Sequence, residues 1–239
     1  MTLFPSRNAS KVVVLSTCLG ALTFSIGCES TPDPREMTEV QRAKAISSRR
    51  KQADHEFNTF QASDGDDIEA LKRYAQLHVE TTTIAPGSCE LCFFNAGLAL
   101  ARLGSYYRAE ALLLDRRLQD AAPAEARSLE TEIAATEKIM RGHFLESNRH
   151  FETYIRQAGA IVNPMAYWRL ADNYAALEDW RRALNYLNLF EQVQPLAEGQ
   201  GDLAEIRSSF QTRLRLQEER QLEDELQRSG RSERPQTSN

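Results

Sequence analysis

Met165-Ala166-Tyr167-Trp168-Arg169-Leu170-Ala171-Asp172-Asn173-Tyr174, then Leu177-Glu178-Asp179-Trp180, then Ala183, Leu187, Phe190 and Pro195, is the stretch on which the fold turns. Its apolar residues recur at intervals of three and four, the period of a helix with one buried face. Two helices are therefore expected, on either side of a turn near residue 178. Small Ala171 and Ala183 allow the paired helices to approach closely, and the aromatic residues fill the space around them. Pro195 ends the second helix, because proline has no N–H to donate and its ring clashes with the preceding turn.

Outward from this unit the same pattern returns. Upstream lie Phe93-Phe94-Asn95-Ala96-Gly97, then Leu100, Leu103-Gly104-Ser105-Tyr106, Ala109 and Leu113. Gly97 and Ala109 take the small positions here, and Gly104 takes the turn. Between the two units, Gly142-His143-Phe144 marks another turn, with Ser147, Phe151 and Tyr154 on the helix after it. A degenerate unit comes first, with Gly65 as its turn and Ala70, Tyr74 and Leu77 beyond. The turn residues Gly65, Gly104, Gly142 and Glu178 stand 39, 38 and 36 apart. Self-similarity at such a period is the mark of a helical-repeat architecture.

The unit resembles the tetratricopeptide repeat, a helix-turn-helix of 34 residues. Tyr167, Leu170, Ala171, Tyr174, Ala183, Phe190 and Pro195 fall at its characteristic positions. The resemblance implies an all-α solenoid of helical hairpins, with about three repeats and a degenerate N-terminal one. Residues 37–64 form a lead-in helix, and 65–195 the repeats. A solenoid needs caps, because a terminal unit otherwise exposes its apolar face. Residues 201–228 supply one, through Leu203, Ile206, Phe210 and Leu214, and continue as a charged extension with coiled-coil character. The polar tail 229–239 is expected to be disordered.

The first 27 residues read as an address. Arg7 and Lys11 precede an apolar core from Val12 to Ile26. That is signal-peptide length and short of the roughly 20 residues of a membrane span. The core ends at Ser25-Ile26-Gly27-Cys28, which resembles a bacterial lipobox. The resemblance implies cleavage after residue 27, diacylation (palmitate-type chains) of Cys28, and residues 28–36 as a tether. Glu29 rather than Asp after the cysteine resembles the pattern of lipoproteins sorted to an outer membrane, which in a cell with two membranes would put the body in the periplasm. Ordinary cleavage that leaves Cys28 a plain thiol is the alternative.

Composition narrows the function. The 239 residues are 41% hydrophobic and 26% charged, with only 11 glycines and 8 prolines, which argues against a many-stranded β-sandwich. The formal charge is −5, and loss of the leader's two positive charges makes it −7. An acidic body carries no nucleic-acid footprint and is repelled by anionic lipid. No P-loop, nucleophile elbow or zinc-protease helix is present. The expectation is a non-enzyme without metal, cofactor or small-molecule substrate.

Cys89-Glu90-Leu91-Cys92 is the conspicuous chemical pair, with Ser88 as a plausible N-cap. Its spacing is that of disulfide oxidoreductases, and a helix N-terminus stabilises thiolate. A thioredoxin-like fold needs strands, which are not predicted. Phe93 rather than His follows Cys92, unlike haem-attachment motifs, and zinc needs two more ligands. A structural disulfide or paired thiols, a redox or partner-linking pair, and a metal site all stay open. His143 and His150 share a helical spacing, and Asp66-Asp67 and Glu223-Asp224-Glu225 dress helix surfaces.

The repeat family lines a concave groove with its first helices. The resemblance therefore offers Leu91, Phe94, Leu98 and Arg102 from one repeat, and Met165, Trp168 and Asp172 from the last, as groove residues. The Lys and Asn set that grips a C-terminal carboxylate in some members is missing. The exposed apolar side chains suit an apolar helix or extended segment. Packing of Phe94 and Trp168 between repeats is the competing reading. The function expected is a lipid-anchored scaffold for a protein or peptide partner at the envelope. The alternative is a thiol–disulfide protein using Cys89 and Cys92.

Overall fold

The computed structural model describes residues 33–87, 89–194 and 201–232, and the body of the chain begins at Pro34. Among the described residues seven helices follow one another: α1 (Glu39–Ala62), α2 (Ile68–Ile84), α3 (Glu90–Gln119), α4 (Pro123–Ala158), α5 (Met165–Ala176), α6 (Trp180–Val193) and α7 (Gly201–Ser232). No strand occurs among the described residues. The chain is all-α. Each helix packs chiefly on its sequence neighbours, with α3 and α4 forming the largest interface. Cys28, the leader 1–27, Ser88 and Pro195 lie outside the described residues.

Local chemistry sets the helix starts. Thr38 accepts a hydrogen bond from the Gln41 N–H while the Gln41 side chain accepts one from the Thr38 N–H, a capping box that opens α1. Asp67 caps α2 by accepting from the Ala70 N–H, and Asp179 caps α6 by accepting from the Arg182 N–H. Pro123 opens α4, where its missing N–H costs nothing.

Two of the four expected turns are turns. Asp64 and Gly65 adopt positive φ between α1 and α2, and Glu178 does so between α5 and α6, at 61°. The other two are corrections. α3 runs without a break through Gly104, and α4 runs through Gly142, so the middle of the chain is one long hairpin rather than two short ones. The chain turns instead at Asp120–Ala122, ahead of Pro123.

The interface explains Gly104. A β-carbon there would lie 2.9 Å from the Phe144 ring, and one at Gly97 would lie 3.0 Å from the Phe151 ring. Both pairs are seven residues apart, two turns on each helix, so two glycine notches in α3 receive two buried phenylalanines of antiparallel α4. Burying each ring contributes about 1.5–3 kcal/mol. Gly142 has nothing within 4 Å of its β position. Ala109, expected at a close crossing, is exposed. Ala171 and Ala183 are buried, at 1% and 0% exposure.

A polar chain crosses the same interface. The Ser147 hydroxyl donates to the Gly97 carbonyl at 2.8 Å, which is accessible because Gly97 has no side chain. Asn173 of α5 donates to the Ser147 hydroxyl at 2.9 Å and to the Asn148 side-chain oxygen at 2.8 Å. This buried network ties α3, α4 and α5 together. Beyond it, Tyr174 stacks on Tyr186 and both hydroxyls donate to Glu152, joining α4 to α6.

At the C-terminal end, Leu203, Ile206 and Phe210 of α7 cover Leu187 and Phe190, as a cap should. α7 continues to Ser232, so the tail expected to be disordered from Ser229 is helical for its first four residues. Those residues hold no proline to stop it; Pro235 comes later.

Candidate functional site

Three of the seven groove residues meet in one cleft. Leu98 and Arg102 of α3 and Asp172 of α5 line an open hollow of about 390 Å³, together with Phe57 and Phe60 of α1, Tyr106 and Arg169. The α3 residues are four apart, so they project from one helical face. α1 closes the side of the cleft with its aromatic end.

Arg102 is held in place. Its guanidinium sits 4.3 Å from the centre of the Phe57 ring and donates to the Tyr74 hydroxyl. Burial raises the Tyr74 pKa above its ordinary value, against the opposing effect of Arg102. Arg169 reaches Asp172 only at 3.9 Å, and its buried Nε has no hydrogen-bond partner among the described residues. Two guanidinium groups and one carboxylate leave the cleft with a surplus positive charge over an aromatic floor.

The other four groove residues do not join it. Leu91 and Met165 are exposed at 57% and 38%, at the starts of α3 and α5. Phe94 packs edge-on against Phe151 and Tyr154, with ring centres 5.8 and 5.1 Å apart. Trp168 packs on Phe190 at 5.5 Å. For these two aromatics, packing between helices is what the structure has. Phe57, Phe60 and Arg169 were not expected in the site. The signal for the first two was their spacing of three on a helix, which puts both on one face near its end.

Cys89 and Cys92 are joined in a disulfide at the start of α3, with Cys89 in the N-cap position. Cys92 is fully buried and Cys89 half-buried. Nη2 of Arg50, from α1, lies 3.6 Å from both sulfurs. Sequence reasoning missed Arg50, because nothing local pairs it with residues 39 and 42 positions away.

Three of the four histidines, His78, His143 and His150, are packing groups. His78 is buried against the Tyr74 ring, and its pKa is lowered to about 4, by burial first, with Arg50 and Arg102 reinforcing and Asp54 opposing. His143 stacks on Tyr107, and His150 lies against Phe93. Burial lowers the pKa of both, against Glu146. Among the described residues no group of three or more His, Cys, Asp or Glu is placed to hold a metal ion. No helix among them is long and apolar enough to cross a membrane.

Compared with known proteins, the chain matches no family model, no curated protein and no solved structure.

Proposed function

We propose that the chain is a binding scaffold of helical hairpins, of which α5–α6 resembles a tetratricopeptide repeat, held at the cell envelope of a bacterium by an acylated Cys28. Its cleft takes a segment of a partner protein that carries an apolar side chain next to an acidic one. The observation that carries this reading is the meeting of Leu98, Arg102 and Asp172, from two separate hairpins, on one open aromatic-floored surface. The apolar side chain would settle on Phe57 and Phe60, and the acid would answer the surplus charge and the spare Nε of Arg169.

The test places the photo-crosslinker benzoylphenylalanine at Ser105, inside the cleft, and at exposed Lys138 of α4 as a control. A discrete adduct is expected at Ser105 alone, and Arg169→Ala should weaken it several-fold. Equal labelling at both positions, or an adduct indifferent to Arg169, removes the cleft from consideration.

A further inference from the structure

We propose that the Cys89–Cys92 disulfide is a redox centre that oxidises a dithiol of an incoming peptide, with Arg50 holding the sulfur that leaves. This goes beyond the scaffold reading and does not rest on it. The centre lies ten residues from Arg102 along α3, about 15 Å at the helical rise.

Three observations carry it. The first is access: Cys89 lines an open cleft of about 600 Å³ with Arg42, Ile46, Arg50, Asp54 and Ala85. Cys92 behind it is fully buried. One sulfur can be attacked and the other cannot. The second is the partner of that buried sulfur. Arg50 approaches both sulfurs at 3.6 Å, and among the described residues no carboxylate forms an ion pair with it. The third is that the buried Arg50 Nε has no hydrogen-bond partner among the described residues.

A disulfide sulfur is a weak acceptor, so in the oxidised chain the guanidinium is poorly satisfied. Burying an unsatisfied donor costs free energy, and more so for a charged group. Reduction turns the same sulfur into a thiolate, which accepts a charge-assisted bond. A cation and a helix N-terminus both favour thiolate. Stabilising the reduced form makes a disulfide a stronger oxidant. A purely structural role is poorly served by this pair, since a cross-link over so short a loop removes the least entropy from the unfolded chain.

The step is balanced. A thiolate of the substrate attacks the Cys89 sulfur, the bond to Cys92 breaks, and the electron pair leaves on the Cys92 sulfur beside Arg50. A mixed disulfide between Cys89 and the substrate results. The second substrate thiolate then attacks the substrate's own sulfur and releases Cys89 as thiolate. The peptide dithiol has lost two electrons and two protons to become a disulfide. The chain's pair has gained the electrons, and its sulfurs or the solvent take the protons.

The experiment is a single turnover of the purified full chain against excess reduced dithiol peptide at fixed pH. Iodoacetamide traps free thiols, and mass spectrometry reads them on the tryptic fragment 74–102. The oxidised peptide Ser-Cys-Glu-Leu-Cys-Phe serves as the reference disulfide. The chain should exchange at least tenfold faster than this reference. Arg50→Met, which keeps the packing stem, should lose about tenfold, and Arg50→Lys should keep most of the rate. Circular dichroism confirms that each variant is folded. If Arg50→Met proves unfolded, Arg50→Gln replaces it. Exchange no faster than the reference peptide, or a charge-free variant as fast as the parent, overturns the proposal. Lys138→Ala, at an exposed position of α4 outside both clefts, should leave exchange unchanged.

Discussion

A β-carbon on Gly104 would sit 2.9 Å from two carbons of the Phe144 ring, and that ring is buried on every side. Adding it overpacks the α3–α4 seam at a cost of about 1–3 kcal/mol. The better helix propensity of alanine returns about 1 kcal/mol. Gly104→Ala should therefore destabilise the fold by about 1 kcal/mol, while Gly142→Ala, with open space around it, should stabilise it by about as much. Thermal melts followed by circular dichroism should move in opposite directions, by about 2–4 °C each. Two rises, or two falls, would count against the seam. The contrast also explains what could be read in advance. Glycine at a near-regular spacing marks a turn at Gly65, a packing notch at Gly104 and neither at Gly142. The residue type is the same in all three, and the difference lies in a partner about forty residues away.

At the scale of elements, helical period sufficed for α1, α2, α5 and α6, where caps and positive-φ residues punctuate the chain. It failed to join the halves of α3 and α4, since an amphipathic run looks alike whether its centre bends or continues. The cleft was half legible for a related reason. The repeat resemblance picked out Leu98, Arg102 and Asp172, which share one cleft, but the contribution of α1 depends on how that helix docks, which no local pattern states. For α7 the apolar stripe was informative, and it makes a prediction. The helix is held through Leu203, Ile206 and Phe210, with Phe210 set 5.7 Å from the Trp180 ring. Truncating Phe210 to alanine removes about 2 kcal/mol of burial, so local opening of α7 should become roughly thirtyfold more frequent. Trypsin should cut Phe210→Ala faster at Arg207, Arg213 and Arg215, with cleavage at Lys138 in α4 unchanged. Equal acceleration at all these sites would mean that α7 opens only with the whole fold.

Over the described body as a whole, from Pro34 onward, several polar groups are buried between helices, and one of them couples the fold to acidity. His78 lies inside the α1–α2–α3 end, beside the Tyr74 ring and within the fields of Arg50 and Arg102, with only Asp54 opposing them. Its pKa falls from 6.5 in the unfolded chain to about 4 in the fold. The folded state therefore prefers the neutral ring, while below pH 6.5 the unfolded chain gains a proton that the fold resists. The stability held in this difference is complete above the unfolded value and drains away as pH falls towards 4. Linkage sets the loss between pH 7.5 and pH 5 at about 2 kcal/mol, or about 4–8 °C in melting temperature for a body of this size. His78→Gln keeps a polar side chain of similar reach and cannot take up the proton. Acid effects common to both chains cancel in their difference, so the variant should lose less stability than the parent over that interval, by about 2 kcal/mol. Parallel melting curves for the two chains at both pH values would mean that His78 titrates in the fold as it does in water, and that this end of the body is open to solvent.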